Sequence, residues 1–203
     1  MSDREDNVKS AKKMAFITTD LQHDLIRKSP ERIKRVYDML PTVVRFLQQL
    51  RERGIPIIHQ QLVYKETDHV EYFNGRIPCL EGTEGVDFVP EIDAHKDIVI
   101  KKRKDSGFYE TNLDETLRGL GCDTILLGGM QAQICIQTTG ADGYFRGYNV
   151  VAVEDCITST REEDKQRALD WIAGYCGRVM SSTQIIDEYD TGKPMEFPVI
   201  YTP

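Results

Sequence analysis

Short apolar runs alternate with longer amphipathic stretches from Met14 to Met180, and few folds accommodate that order. Residues 14–19, 55–63, 97–100, 124–127, 149–153 and 179–180 read as strands, because each is a brief apolar run bounded by turn-forming or charged residues. Between them, residues 30–53 carry Ile33, Val36, Leu40, Val43, Val44, Leu47 and Leu50 at helical spacing. Pro41 inside that pattern predicts a kink, or a split near Leu40. Further helices are expected from Thr111 to Leu120, opened by a capping-box-like pairing of Thr111 with Asp114 or Asn112 with Glu115; from about Gln133 to Phe145; and from about Arg161 to Tyr175, capped by Ser159 or Thr160. In the last of these, Leu169, Trp171 and Ile172 are expected to face inward. Strands alternating with helices, without repeats or a linker, imply a doubly wound α/β sheet, mostly parallel, with helices on both faces.

The 203 residues suit one domain over 14–187, preceded by a loose polar arm over 1–13. A tail over 188–203 is expected to pack on the domain or on a neighbouring subunit. The net charge of −7 argues against a nucleic-acid binder, and the basic run Lys101-Lys102-Arg103-Lys104 stands alone. No apolar run is long enough to span a membrane, and residues 1–13 lack the apolar stretch of a signal peptide. The five cysteines are odd in number and without CxxC spacing, which disfavours zinc ribbons and disulfide scaffolds and favours a reducing cytoplasm.

Chemistry concentrates where strands end, the edge at which open α/β sheets bind ligands. Leu126-Leu127-Gly128-Gly129-Met130-Gln131-Ala132-Gln133-Ile134-Cys135 runs from a buried strand through two glycines into a helix, with Cys135 in its first turn. Unpaired N–H groups and the helix dipole favour a thiolate there, although a free cysteine is more often a small buried hydrophobe. Asp20 follows the first strand, and one lysine of the run 101–104 can turn inward as a site charge. Together they form a coherent set in which Cys135 attacks a carbonyl carbon, Asp20 moves the proton, and a lysine favours the anionic forms. Backbone N–H groups of Gln131 and Cys135 are candidates for an oxyanion hole, each such donor contributing roughly 3–4 kcal/mol. The irregular stretch 64–90 holds Tyr72, Phe73, Arg76 and Glu84 as candidates for shaping a pocket. His59 either points into a cleft or is a satisfied strand histidine. Phosphate-loop, GxGxxG and GxSxG motifs are absent.

These residues resemble the isochorismatase-like cysteine hydrolases over about 14–187. Asp20-Leu21-Gln22 is similar to the family's D-x-Q, and 102–113 to K-x-x-x-S-x-F-x-x-T-x-L. Gly129 to Cys135 is similar to G-x-x-T-x-x-C, and Gly147-Tyr148 with Val153-Glu154-Asp155 to G-Y…V-E-D. The resemblance implies a catalytic triad of Asp20, Lys102 and Cys135, with a cis peptide at Met130–Gln131. It brings Gln22, Phe108 and Gln133 beside Tyr72, Arg76 and Glu84 as candidate substrate contacts. It also implies a homodimer or homotetramer. Ala132 stands where the family has threonine, and Gln133 where it commonly has aspartate. The metal-binding Asp-x-His of nicotinamidases is replaced by His59-Gln60-Gln61, so neither metal nor cofactor is expected. The pattern looks most like ureidoacrylate and carbamoylsarcosine amidohydrolases, and Glu84, where an aromatic residue is frequent, favours a polar or cationic substrate. The expected function is a cysteine amidohydrolase acting on a small amide, ureido or carbamoyl compound. The alternatives are a nicotinamidase-like or other small-amide hydrolase, and a non-catalytic small-molecule binder on the same scaffold.

Overall fold

The structure is a computed structural model that describes residues 13–68, 75–193 and 195–197. Six parallel strands form one sheet in the order β3-β2-β1-β4-β5-β6. They are β1 (Met14–Thr19), β2 (Ile57–Leu62), β3 (Ile98–Lys102), β4 (Thr124–Gly129), β5 (Asn149–Ile157) and β6 (Gly177–Met180). The helices are α1 (His23–Ile26), α2 (Pro30–Glu52), α3 (Leu113–Gly119), α4 (Gln137–Phe145), α5 (Glu162–Tyr175) and α6 (Ser182–Asp190). Among the described residues, no helix is long and apolar enough to cross a membrane.

Alternation along each strand builds two cores. Phe16, Ile57, Leu126 and Val151 pack on one side with Val43, Phe46, Leu47 and Leu50 of α2 and Ile185 of α6. Ala15, Ile17, Ile58, Ile125 and Val150 point the other way, against Leu113 and Leu117 of α3 and Leu169 and Ile172 of α5. Both faces are covered, so the strands read as continuous apolar runs.

Several local expectations are corrected. α2 runs unbroken through Pro41. Pro41 is exposed, so the carbonyl left without an amide donor on that turn faces water. Ser29 caps α2 by accepting the Arg32 N–H at 3.2 Å. α5 begins after Arg161 without a side-chain cap, because the Ser159 and Thr160 side chains are committed elsewhere. Trp171 is 36% exposed, whereas Leu169 and Ile172 are buried. α3 also lacks a side-chain cap; the Thr111 hydroxyl instead donates to the Gly107 carbonyl at 2.6 Å. The basic run begins inside β3, which places Lys102 as the last residue of that strand.

Strand order reverses between β1 and β4, where a doubly wound sheet opens its crevice. Gly129 makes that junction possible. It has φ +104°, and a Cβ there would lie 2.2 Å from the Thr19 carbonyl oxygen and 2.7 Å from the Thr19 nitrogen. Gly129→Ala is therefore expected to destabilise the fold by about 3–5 kcal/mol, combining backbone strain with a steric clash. Thermal unfolding should register a loss of at least about 6 °C. A melting temperature within a degree of the parent would show that β1 and β4 do not pack this closely.

Candidate active site

Asp20 leaves β1 in a left-handed conformation, φ +62°, which Asp tolerates better than most residues. Its amide donates to the Gln60 carbonyl at 3.2 Å, tying the turn to β2. Lys102, the last residue of β3, reaches back across β2, and its Nζ donates to Asp20 Oδ2 at 3.0 Å. A second bond runs from Lys102 Nζ to the Asp105 carbonyl at 3.1 Å. The pair is closed off from solvent, with Lys102 1% and Asp20 3% exposed. Burial by itself would lower the lysine pKa, but the adjacent Asp20 charge and hydrogen bond, together with Cys135, raise it above its ordinary value.

Cys135 comes from the far side of the switch point. After β4, the peptide between Met130 and Gln131 is cis. Residues Ala132–Ile136 then form a single π-type turn, in which the Ile136 N–H donates to the Gln131 carbonyl at 3.2 Å. α4 starts only at Gln137, so the expected helix opens four residues late and Cys135 sits in the wider turn before it. Cys135 is 7% exposed, and its sulfur interacts with Asp20 and Lys102 and lies 4.0 Å from Asp105 Oδ1. Burial and then the Asp20 charge push the thiol pKa well up, against the opposing pull of Lys102. That direction favours a thiol beside a carboxylate over a free thiolate. Attack by such a group requires proton transfer to a base as the bond forms.

A separate observation converges on the same place. Among the described residues, the buried side-chain oxygen and nitrogen atoms without a partner are Asp20 Oδ1, both amide atoms of Gln60, and Gln131 Nε2. Buried polar groups are almost always bonded, and exceptions call for a ligand, a water or a catalytic role. All four atoms belong to residues at the carboxyl ends of β1, β2 and β4. Gln131 Oε1 accepts the Thr160 N–H at 2.9 Å, which fixes how its amide is turned. The Ala132 N–H is engaged by the Thr158 carbonyl and Ser159 Oγ, both at 3.1 Å. The Gln131 N–H has no acceptor among the described residues, which leaves it available to a bound oxygen.

The sequence profile of the Isochorismatase domain matches residues 14–184. This chain belongs to the isochorismatase family. It is 29% identical over 164 residues to the probable inactive nicotinamidase At3g16190 of Arabidopsis thaliana, covering 73% of this chain and 82% of that protein. Among solved structures it is similar to an isochorismatase-like hydrolase from Alkaliphilus metalliredigens, with a TM-score of 0.78, 26% identity, and coverage of 89% of this chain and 98% of that one. It is also similar to N-carbamoylsarcosine amidase from Thermoplasma acidophilum, with a TM-score of 0.71, 28% identity, and coverage of 84% and 96%. The family is hydrolytic and its members here include an amidase.

In this isochorismatase-family chain, most of the expected substrate contacts are engaged elsewhere. Gln22 is fully buried and clamps backbone: its Nε2 donates to the Leu62 and Val86 carbonyls, both at 2.8 Å, and its Oε1 accepts the Leu62 N–H at 2.7 Å. Phe108 is core, stacked on Tyr148 at 5.8 Å with Arg146 over its ring. Arg76 pairs with Asp24, and Glu84 lies exposed beside Arg27 at 3.5 Å. Gln133 Oε1 accepts from the Ser159 hydroxyl at 2.7 Å. Tyr72 lies outside the described residues.

Tyr64, just past β2, went unpredicted. It is half-buried, and its phenol pKa is raised by burial and then by the Asp105 charge, with Asp20 adding to the rise and Lys102 opposing it. Its place one residue beyond a strand's carboxyl end was the available signal. His59, Gln60 and Gln61, which stand in place of the metal-binding Asp-x-His of nicotinamidases, lie within β2. His59 is buried between Thr18 Oγ1 at 2.6 Å and Asp97 Oδ2 at 2.9 Å, and Gln61 Nε2 donates to the Val86 carbonyl. Among the described residues, no group of three or more His, Cys, Asp or Glu side chains is placed to hold a metal ion. The donor set therefore does not fit the metal of the nicotinamidase pattern.

Asp24 ties the loop over the site's flank to α1. Its carboxylate binds the Arg76 guanidinium and accepts the Cys79 N–H at 2.9 Å, and it fills the space where a Cβ on Gly85 would sit. Burial would raise its pKa, but the bonds from Arg76 and Cys79 hold it below the usual carboxylate value. A lowered folded pKa means the tie is present above the unfolded value near 4 and is lost as pH falls below it. Asp24→Asn should accordingly speed amide exchange over residues 75–86 severalfold at pH 7. The parent should show the same loosening only in acid, below about pH 4. Equal exchange in the two proteins at neutral pH would assign that loop's order to other contacts.

Proposed function

We propose that this isochorismatase-family protein is a metal-independent cysteine amidohydrolase that cleaves the C–N bond of a small amide, ureido or carbamoyl compound. The observation that carries this reading is the buried Asp20–Lys102 ion pair closed against the Cys135 thiol at the sheet's switch point. Cys135 sulfur attacks the substrate carbonyl carbon while its proton passes to Asp20. The carbonyl oxygen gains negative charge and turns to the N–H groups of Gln131 and Cys135. The C–N bond then breaks, and Asp20 returns the proton to the departing nitrogen. Water attacks the resulting thioester and gives a proton to Asp20; the C–S bond breaks, the acid leaves, and Asp20 passes that proton to the sulfur, restoring the thiol. Lys102 holds Asp20 in place and stays protonated throughout. Similarity to an N-carbamoylsarcosine amidase supports this class of substrate.

A second reading is a non-catalytic small-molecule binder. The elevated Cys135 pKa and the likeness to a probable inactive nicotinamidase favour it. An ammonia- and amine-release screen across ureido compounds, carbamoyl amino acids and primary amides separates the two. Turnover, with a covalent adduct on Cys135 seen by mass spectrometry after acid quench, supports the hydrolase. Binding of these compounds without adduct or product selects the binder.

A further inference from the structure

The nucleophile chamber holds a second carboxylate that the reaction above does not use. Asp105 Oδ1 lies 4.0 Å from Cys135 Sγ. Its loop is pinned on three sides. The Asp105 carbonyl accepts from Lys102 Nζ, the Ser106 hydroxyl donates to Asp142 at 2.7 Å, and the Gly107 N–H donates to Thr139 Oγ1 at 2.9 Å. Gly107 also lies directly on Gln60, whose amide would collide with any Cβ there. Asp105 itself is exposed, whereas Cys135 is buried, so the carboxylate lies on the solvent side of the sulfur.

The neighbouring basic side chains that form ion pairs form them elsewhere. Lys101 pairs with Glu81, Lys102 with Asp20, and Arg103 with Asp68. Among the described residues, no basic side chain forms an ion pair with Asp105. A substrate carbonyl within bonding reach of Cys135 brings its substituents to hydrogen-bond distance of this carboxylate. An acceptor-only carboxylate there binds N–H donors and repels anions.

We propose that Asp105 selects the substrate by charge, admitting small amide or ureido compounds that carry a cationic nitrogen next to the scissile carbonyl and disfavouring those that carry a carboxylate there. This rests on the reading of Cys135 as the thiol that meets the carbonyl. Glu84, on the surface with Arg27, does not supply the preference expected of it from sequence.

The test uses the full chain and two thiol reagents of similar size and opposite charge. They are (2-aminoethyl) methanethiosulfonate, a cation, and (2-sulfonatoethyl) methanethiosulfonate, an anion. In each reaction Cys135 sulfur bonds to the reagent's thiol sulfur, methanesulfinate leaves, and the thiol proton passes to solvent. Intact mass measures the rates, with Cys135→Ala reporting the background from the other cysteines. The ratio of cationic to anionic rates is expected to fall roughly tenfold in Asp105→Asn and to return in Asp105→Glu. An unchanged ratio in Asp105→Asn overturns the proposal. Absence of labelling at Cys135 by either reagent overturns it together with the cysteine mechanism. Glycinamide against propionamide supplies the substrate arm, where the kcat/KM preference for the cation should drop by a similar factor in Asp105→Asn. If neither amide nor any ureido compound turns over while the labelling ratio still shifts, the hydrolase reading fails and the charge selection stands.

Discussion

Cys135→Ala is expected to lower turnover of any amide substrate by at least about 10⁴-fold, because no other group in the chamber can form the covalent intermediate. The fold should survive. Alanine removes one sulfur from a site that already contains unpartnered polar atoms, and it also removes a thiol that burial keeps protonated. A melting temperature within a few degrees of the parent, together with no measurable product, is the expected pair of results. Residual turnover within tenfold of the parent would show that the sulfur does not attack. The measurement is ammonia release at saturating substrate beside a thermal melt of the same preparation.

Lys102→Met is expected to cost both stability and activity. Lys102 and Asp20 are both buried, and each is the other's opposite charge at 3.0 Å. Removing the cation leaves a buried carboxylate without its opposite charge, and Asp20 Oδ1 already lacks a partner. Breaking a buried pair from one side costs about 3–5 kcal/mol, or roughly 6–20 °C in melting temperature for a domain of this size. Activity should be lost as well. The double variant Asp20→Asn/Lys102→Met separates charge from chemistry: it should recover most of the lost stability, because no unpaired charge remains, and none of the activity. A double variant as unstable as Lys102→Met would mean that the lysine contributes packing rather than charge compensation. The raised lysine pKa sets the pH window. Its contribution is complete below the unfolded value near 10.4 and is lost only as pH rises through the higher folded value. The stability gap between parent and Lys102→Met should therefore be flat from pH 7 to 9.

How far the site can be read in the chain depends on where each residue's partners lie. Asp20, Lys102 and Cys135 stand at strand ends, and strand ends in a doubly wound sheet share one edge, so their meeting is implicit in the alternation of elements. Gly129 is legible for a similar reason, as two glycines closing a strand signal a close backbone approach. The motifs that carry Gln22 and Phe108 mark positions but not directions. Gln22 turns its amide onto the Leu62 and Val86 backbone, and Phe108 turns into the core against Tyr148. Ser159 and Thr160 look like helix caps, yet they brace Ala132, Gln133 and Gln131 from the end of the neighbouring strand β5. Those contacts span 26 to 29 residues, beyond any local pattern.

Sequence alone determined the architecture of this protein, because strand and helix periodicities are local and their order leaves one sheet topology class open. It also determined which three side chains can reach a common edge. Only the tertiary structure decided the charge state of that edge. Burial beside Asp20 pushes the Cys135 thiol pKa up, and the Asp20 charge raises that of Lys102 against its own burial. Asp105 faces the sulfur because its loop is pinned by Lys102, Thr139 and Asp142. Burial and through-space charge arise from residues distant in the chain, and no window of sequence contains them.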